Sequence, residues 1–144
     1  MRDITQIVYT SGAGPILPEL QWYERITITA SSISLARNGR ISATHVNVGT
    51  WTWPADTAAV QALFARLAAV DPAAIVREEP DEPPDGGGTE SYCIAYGQGK
   101  EWTLAYDPGV DYSGGDLVVG PIWAFIRALR MPAEAASRYR DTKP

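Results

Sequence analysis

The chain has little of what nucleophilic catalysis and metal binding usually require. Its 144 residues contain one cysteine, Cys93, and one histidine, His45. A single cysteine excludes a disulfide within the chain, so we expect a protein of the reducing cytoplasm. The same scarcity excludes a zinc site built from several His or Cys ligands in one subunit. We therefore predict neither a metal nor a cofactor, and we single out no catalytic residue.

Long apolar runs and basic charge are also lacking. No stretch approaches the roughly eighteen apolar residues of a membrane span, and residues 1–12 lack the apolar segment of a secretory signal. The net charge is −5 at pH 7, whereas a protein that binds nucleic acid needs a basic surface for the phosphates. Neither a membrane nor a nucleic acid is therefore an expected partner.

Apolar residues are sufficient for one core. They make up 45% of the chain, and aromatic residues make up 10%, which is enough for a domain of this length to bury a stable interior. No internal repeat or linker divides the sequence. We predict one domain over residues 1–132, followed by a basic segment, 133–144, that forms either a tail or a short helix.

Alternating apolar residues predict strands in the first third of the chain. A strand is expected over residues 4–10, and a pattern with period two begins at Trp22. Asn38-Gly39 is a strong signal for a two-residue hairpin, because both central residues of a type I′ turn need positive φ. A returning strand is then expected over residues 41–48.

The rest of the chain combines helix and strand signals. Pro54 or Asp56 is expected to start a helix, and two alternating segments, 92–96 and 102–106, predict a second hairpin. Apolar residues at helical spacing are Val60, Leu63, Phe64, Leu67 and Val70, and then Ile122, Phe125, Ile126 and Leu129. The order β-β-β-α-loop-β-β-α predicts an α+β fold, with two helices packed on one face of a mostly antiparallel sheet.

Acidic residues are concentrated in one stretch of the chain. Between Glu78 and Asp116 there are ten acidic residues and one basic residue, Lys100. The segment from Arg77 to Glu90 adds three prolines and three glycines and has no apolar residue, so we expect a long exposed loop. Clustered charge steers association over long distances. The expected partner is therefore another protein with a basic surface.

The chemically versatile side chains have ordinary structural interpretations. Cys93 lies between two tyrosines in a predicted strand, where a free cysteine most often behaves as a small buried hydrophobe. His45 is expected at the surface or with its hydrogen bonds satisfied. The carboxylates of Asp107 and Asp111 lack the spacing of a calcium-binding loop. They nevertheless leave open an enzyme or a small-ligand-binding protein that uses loop carboxylates.

Aromatic residues complete a predicted binding site. Trp51 and Trp53 are two residues apart, so in a strand they share one face, and rings of this kind anchor interfaces. In such a site charge sets the association rate, and buried rings set the lifetime of the complex. The predicted binding residues are Trp51, Trp53, Asp107, Asp111, Tyr112 and Asp116.

Six short motifs follow one another over most of the chain. They are Ile7–Gly14, Arg37–Arg40, Trp53–Asp56, Ser91–Tyr96, Trp102–Tyr106 and Ile122–Ile126. This layout resembles that of the emfourin-like small bacterial proteins, some of which inhibit thermolysin-type metallopeptidases. The family's usual Gly-Gly-Phe-Ala-Gly is not kept, because Ala13 replaces its second glycine and the aromatic residue is missing. No site residue is carried over, and the resemblance implies only that a metallopeptidase is the target.

These features favour a non-enzymatic protein-binding module. Its concrete form is an inhibitor of a metallopeptidase or an immunity-type protein that covers a basic toxin. The alternative is a small-ligand-binding protein or an enzyme that uses loop carboxylates. A third arrangement, in which an exposed strand edge pairs with a second copy of the chain, also stays open.

Overall fold

The computed structural model describes residues 3–82 and 84–140, which form eight strands and three helices. The strands are β1 Ile4–Gly12, β2 Trp22–Ile28, β3 Ser32–Gly39, β4 Gly49–Pro54, β5 Val76–Glu78, β6 Thr89–Tyr96, β7 Glu101–Tyr106 and β8 Asp111–Ser113. The helices are α1 Thr57–Ala68, α2 Asp116–Arg127 and α3 Ala133–Ala136. Within these described ranges, no helix has the length and apolar character needed to cross a membrane.

Six strands form one antiparallel sheet in the order β4-β3-β2-β1-β6-β7. The strands β5 and β8 form a separate two-stranded antiparallel sheet. The predicted α+β class and antiparallel pairing are therefore confirmed, and the small second sheet is an addition. Because β1 pairs with both β2 and β6, the first strand of the chain lies at the centre of the sheet.

The helices cover one face of the six-stranded sheet. Alternate strand residues such as Ile7, Ile28 and Leu35 point to this face and are at most 1% exposed. They pack in one core with Val60 of α1 and Ile122 of α2. The opposite face, which we call the open face, carries mostly small and hydroxyl side chains. One row across it consists of Thr103, Cys93, Val8, Thr27, Ser34 and Thr52.

Helix α1 begins at an aspartate cap. The Asp56 carboxylate accepts a hydrogen bond from the backbone N–H of Ala59 at 3.3 Å, as an N-cap residue does. Pro54 is the last residue of β4, so it does not start the helix. The buried residues of α1 were all predicted from their spacing and are Val60, Leu63, Phe64 and Leu67.

The predicted hairpin turn at Asn38-Gly39 is wrong. Both residues continue β3, where they pair with Tyr23 and Trp22 of β2. Gly39 is needed for space, since a Cβ atom on it would lie 2.5 Å from Oγ1 of Thr44. The glycine therefore permits a close approach between two segments.

The turn that joins β2 to β3 is closed by a backbone hydrogen bond from Thr29 to Ser32 and stabilised by their hydroxyl side chains. The Thr29 hydroxyl accepts a hydrogen bond from the backbone N–H of Ser32 at 3.0 Å, a local bond that stabilises turns. Because β3 then extends to Gly39, the returning strand predicted over residues 41–48 is also wrong. Those residues are a connection, and the strand that follows is β4.

The acidic segment predicted as a loop over 77–90 is a loop only in its middle. Its first residues belong to β5 and its last to β6. Residues 79–88 between them are irregular and mostly exposed, as predicted, and Pro83 lies outside the described ranges. A Cβ atom on Gly14 would lie 2.9 Å from the backbone of Gly87. The exposed loop is thus held against the loop that follows β1.

In the segment predicted as a tail or a short helix, 133–144, the described residues 133–140 begin with α3 and pack against the sheet. Ala135 in this helix is 1% exposed and belongs to the core. The Arg138 guanidinium donates to both carboxylate oxygens of Glu24, at 2.7 and 3.2 Å. Residues 133–140 are therefore attached to β2, and residues 141–144 lie outside the described ranges.

Candidate functional site

The structure separates the predicted binding residues into two regions. Trp51 and Trp53 lie on β4 at one edge of the sheet, whereas Asp107 directly follows β7 at the other edge. Five strand spacings of about 4.8 Å, or about 24 Å in total, separate these edges. One continuous surface that contains all the predicted residues is therefore not formed. The residues on the β7 side are Asp107, Asp111, Tyr112 and Asp116.

The two tryptophans are half-buried. They lie on the helix-covered face of β4, where Trp51 pairs with Leu35 and Trp53 with Ile33. The Arg37 guanidinium lies over the ring of Trp51, 5.5 Å from its centroid. Part of each ring therefore serves core packing, and the rest is accessible at the sheet edge.

Nine carboxylates gather around β8 and form what we call the acidic end. Glu78 on β5 lies directly opposite Asp111 on β8. The acidic loop is held against the turn after β7, because a Cβ atom on Gly109 would lie within 3.1 Å of both Pro80 and Pro84. The acidic end consists of Glu78, Glu79, Asp81, Glu82, Asp85, Glu90, Asp107, Asp111 and Asp116.

Arg77 on β5 is the only basic residue of the segments that form the acidic end, 76–90 and 106–116. It donates hydrogen bonds to the carboxylates of Glu79 and Asp107, at 2.5 and 3.2 Å. The bond to Glu79 contributes most to raising the pKa of Arg77. Nine carboxylates and one guanidinium give a charge of −9 + 1 = −8. The other seven carboxylates form no ion pair with any residue that the structure describes.

A chain of aromatic rings supports the acidic end from the core side. Tyr9, Tyr92, Tyr106 and Tyr112 follow one another with ring centroids 5.0 to 5.8 Å apart. The indole N–H of Trp123 on α2 donates to the Tyr92 hydroxyl at 2.6 Å. Contacts of this kind stabilise a fixed ring arrangement, so packed aromatic rings lie beneath the carboxylates of the acidic end.

Burial raises the pKa of three of these tyrosines. The pKa of Tyr9 rises to about 12, chiefly through burial and further through the charge of Glu90. The pKa of Tyr92 is raised by burial and by the hydrogen bond that its hydroxyl donates to Glu90 at 2.9 Å. For Tyr106, burial again raises the pKa, followed by the charge of Asp111. The three hydroxyls therefore stay protonated at neutral pH.

These pKa values predict a loss of stability in alkaline solution. Tyr9 stays protonated in the folded state up to its pKa of about 12, whereas an unfolded tyrosine ionises near 10.0. Its stabilising contribution is complete below that unfolded value and is lost as the pH rises towards the folded one. Over this pH range the free energy of unfolding of Tyr9→Phe should therefore fall by about 1–2 kcal/mol less than that of the wild type.

Denaturant unfolding at a series of alkaline pH values measures the effect of Tyr9→Phe. Tyr23→Phe is the matched control, because Tyr23 lies on the open face and is 48% exposed. The same pH dependence in the wild type and in Tyr9→Phe would contradict the raised pKa of Tyr9.

A cleft of about 620 Å³ opens beside the acidic end. It is lined by the end of β1 and the loop after it (11–14), Trp22, Pro84, the segment 86–90 that leads into β6, and the segment 106–109 at the end of β7. Much of its wall is glycine backbone, and a Cβ atom on Gly88 would lie 2.8 Å from the carbonyl oxygen of Gly12. Such a cleft could accept a small polar ligand. Within 3–82 and 84–140, no group of three or more His, Cys, Asp or Glu side chains is arranged to hold a metal ion.

The histidine and the cysteine lie away from the acidic end. His45 is exposed in the connection between β3 and β4, which confirms its predicted surface position. Cys93 is half-buried on the open face, where its thiol donates to the Glu101 carboxylate at 3.7 Å. The prediction of a buried cysteine is therefore only partly confirmed.

No family model, curated protein or solved structure matches this chain. The resemblance to emfourin-like proteins therefore stays a prediction.

Sequence reasoning missed several residues that shape the acidic end. They are Arg77, Glu90, Tyr92 and Trp123. A signal for Tyr92 was present, since it alternates with Ile94 on the buried face of β6. The role of Arg77 depends on the pairing of β5 with β8, which the sequence did not reveal.

Proposed function

We propose that this chain is a protein-binding module whose acidic end meets a basic surface of its partner. The observation that carries the proposal is the local charge of −9 + 1 = −8, which the β5–β8 pairing and the contact of the acidic loop with Gly109 bring together. In its concrete form the protein is an inhibitor of a metallopeptidase or an immunity-type protein. The single cysteine supports a cytoplasmic location.

The construction of the acidic end supports this proposal. Glu78 and Asp111 face each other across two strands, although like charges at such positions destabilise a sheet. A partner that brings cations to these carboxylates would relieve the repulsion. The field of the remaining carboxylates would also accelerate association, because clustered charge attracts an opposite surface over long distances.

The cleft beside the acidic end favours one second function, the binding of a small ligand. Glu90 and Asp107 lie in its wall together with glycine backbone. A cationic ligand of small size fits these groups better than an anionic one. Binding of such a ligand would involve the cleft, whereas binding of a protein would involve the whole acidic end.

The association rate tests the proposed function. For a partner recovered from the native host, the rate constant should fall steeply as the salt concentration rises from about 0.05 to 0.5 M, while dissociation changes less. Changing Asp107, Asp111 and Asp116 together to asparagine should reduce the association rate about tenfold at low salt.

A second triple variant controls for net charge alone. Changing Glu19, Glu101 and Glu134 to glutamine removes the same charge away from the acidic end, so association should slow much less. Stopped-flow or surface-based kinetics with both variants makes the comparison. Equal rates in the two variants, or kinetics that do not depend on salt, would contradict the proposal.

A further inference from the structure

The two edges of the six-stranded sheet differ in how they are protected. At β7 the backbone N–H of Ala105 donates to the Tyr112 hydroxyl at 3.1 Å, and its carbonyl accepts from Arg77 at 2.8 Å. The same strand begins with Glu101, which is exposed. Occupied backbone groups and charged side chains both discourage pairing with another strand. The β7 edge is therefore closed along part of its length.

The opposite edge, β4, has neither form of protection. Its sequence, GTWTWP, contains no charged residue and is rich in residues that favour strands. Thr50 and Thr52 are both exposed. An uncharged edge strand of this composition is suited to pairing with another strand.

The hydrogen-bonding groups of β4 that remain free can be identified from the ladder. In an antiparallel pair, alternate residues bond to the neighbouring strand, and the N–H of Ala55 donates to the carbonyl of Ser31 at 3.1 Å. By this alternation the N–H and C=O groups of Thr50 and Thr52 point away from β3. Among residues 3–82 and 84–140, no other backbone group bonds to them. Pro54 takes the next outward position, where its missing N–H removes no bond.

We propose that β4 pairs with β4 of a second copy of this chain. The two strands run antiparallel about a two-fold axis, so that two six-stranded sheets join into one continuous sheet. In the register that we propose, Trp51 lies on the axis, Thr50 lies opposite the partner's Thr52, and each free N–H of Thr50 and Thr52 is used. This register forms about four backbone hydrogen bonds between the copies.

The charge distribution argues for a second copy as the occupant of this edge. A net charge of −5 would ordinarily keep copies apart. The carboxylates of the acidic end, however, follow β7, lie on β6 or lie in the loop beside the end of β1, which are three to five strand spacings, or about 14–24 Å, from β4. Pairing at β4 separates the two acidic ends by about twice these distances. The screening length in physiological salt is about 8 Å. The two copies thus meet at uncharged strands while their acidic ends stay far apart.

The half-buried ring of Trp51 contributes to the same contact. Residues at the non-hydrogen-bonded position of an antiparallel pair approach most closely, with Cα atoms about 4.5 Å apart. With Trp51 on the axis, the accessible parts of the two rings cover each other on the helix-covered face. The dimer leaves both acidic ends exposed and does not rest on the function proposed above.

The contact is small, so the dimer should be reversible. A short strand and one pair of rings bury less than the roughly 1,200 Å² of a stable interface, and we expect a dissociation constant in the micromolar range, on the order of 10–100 µM. Sedimentation equilibrium from about 1 to 500 µM should show the mass change from monomer to dimer. A monomer throughout this range would overturn the proposal.

Proline substitutions test which edge forms the contact. Thr52→Pro removes an outward N–H that β3 does not use, so it should abolish the dimer while circular dichroism shows a folded domain. Thr103→Pro is the matched control, because Thr103 occupies the corresponding outward position on β7. A dimer that persists in Thr52→Pro, or one that only Thr103→Pro removes, would overturn the assignment to β4.

A charge-swap pair tests the same contact without proline. Thr50→Lys/Thr52→Lys and Thr50→Glu/Thr52→Glu place like charges across the axis, so each variant alone should be monomeric. An equal mixture of the two should form a heterodimer, because lysines then face glutamates. Failure of the mixture to associate, with both variants folded, would exclude the β4 contact.

Discussion

Replacing Arg37 by leucine is expected to lower the free energy of unfolding by about 3–5 kcal/mol, the usual cost of removing one partner of a buried ion pair. Arg37 lies opposite Glu24 across β3 and β2, and its Nε donates to the Glu24 carboxylate at 2.8 Å. The two side chains are only 4% and 6% exposed. Without Arg37, the buried Glu24 would keep Arg138 as its ion-pair partner.

Arg37 also holds the C-terminal segment. It donates to the carbonyl oxygen of Ala135 at 2.6 Å and to that of Ser137 at 3.3 Å. In Arg37→Leu both carbonyls lose a donor, and a buried acceptor without a partner is costly. The expected loss therefore combines the loss of the buried Arg37–Glu24 ion pair with a weaker attachment of the C-terminal segment.

The pH dependence of this loss has a definite sign. Burial alone would raise the pKa of Glu24, but the hydrogen bonds from Arg138 and Arg37 outweigh it and hold the pKa below its ordinary value of 4.5. A lowered pKa stabilises the fold above the unfolded value, and this contribution is lost as the pH falls through the folded one. The difference between the wild type and Arg37→Leu should therefore shrink in acid.

Denaturant unfolding of Arg37→Leu is best compared with Arg25→Leu. Arg25 is an exposed residue of β2 on the open face, so its replacement should change stability by no more than about 0.5 kcal/mol. Similar losses of stability in the two variants would show that burial of the ion pair does not determine its contribution to the free energy of unfolding.

Replacing Phe64 by alanine is the second large effect, with an expected loss of about 3–5 kcal/mol. Phe64 on α1 is 8% exposed and belongs to the core. The sequence placed Phe125 on an equivalent apolar stripe of α2, but the structure leaves it half-buried. Phe125→Ala should therefore cost less, about 1–2 kcal/mol, in proportion to the area that it buries. Thermal and denaturant unfolding measure the loss of stability in each variant. Equal losses in Phe64→Ala and Phe125→Ala would contradict this difference.

The elements that were predicted correctly have strong local patterns. The buried face of α1 follows from four apolar residues at helical spacing, and the β6–β7 hairpin follows from period-two alternation. The prediction of a hairpin turn at Asn38-Gly39 was wrong because the glycine serves a contact with a distant segment. Thr44 approaches Gly39 closely, and this contact outweighed the preference of Asn38-Gly39 for a turn.

Only those features of the candidate site that depend on neighbouring residues in the sequence were predictable. The acidic excess could be counted along the chain, but the distance between Asp107 and Trp51 depends on strand order, which no residue pattern states. The buried pair Glu24 and Arg37 left a readable signal. Each residue continues the period-two pattern of its strand on the buried face, Glu24 before Ile26 and Arg37 after Leu35.

The attachment of Arg138 to Glu24 has a consequence for synthesis on the ribosome. Glu24 and Arg37 are made early, whereas Arg138 is made 114 residues after Glu24. Because a domain generally folds as a unit, the carboxylate of Glu24 obtains its second cation only after the strands and helices between these two residues have been made. The ion pair therefore joins the beginning of the domain to its final helical segment.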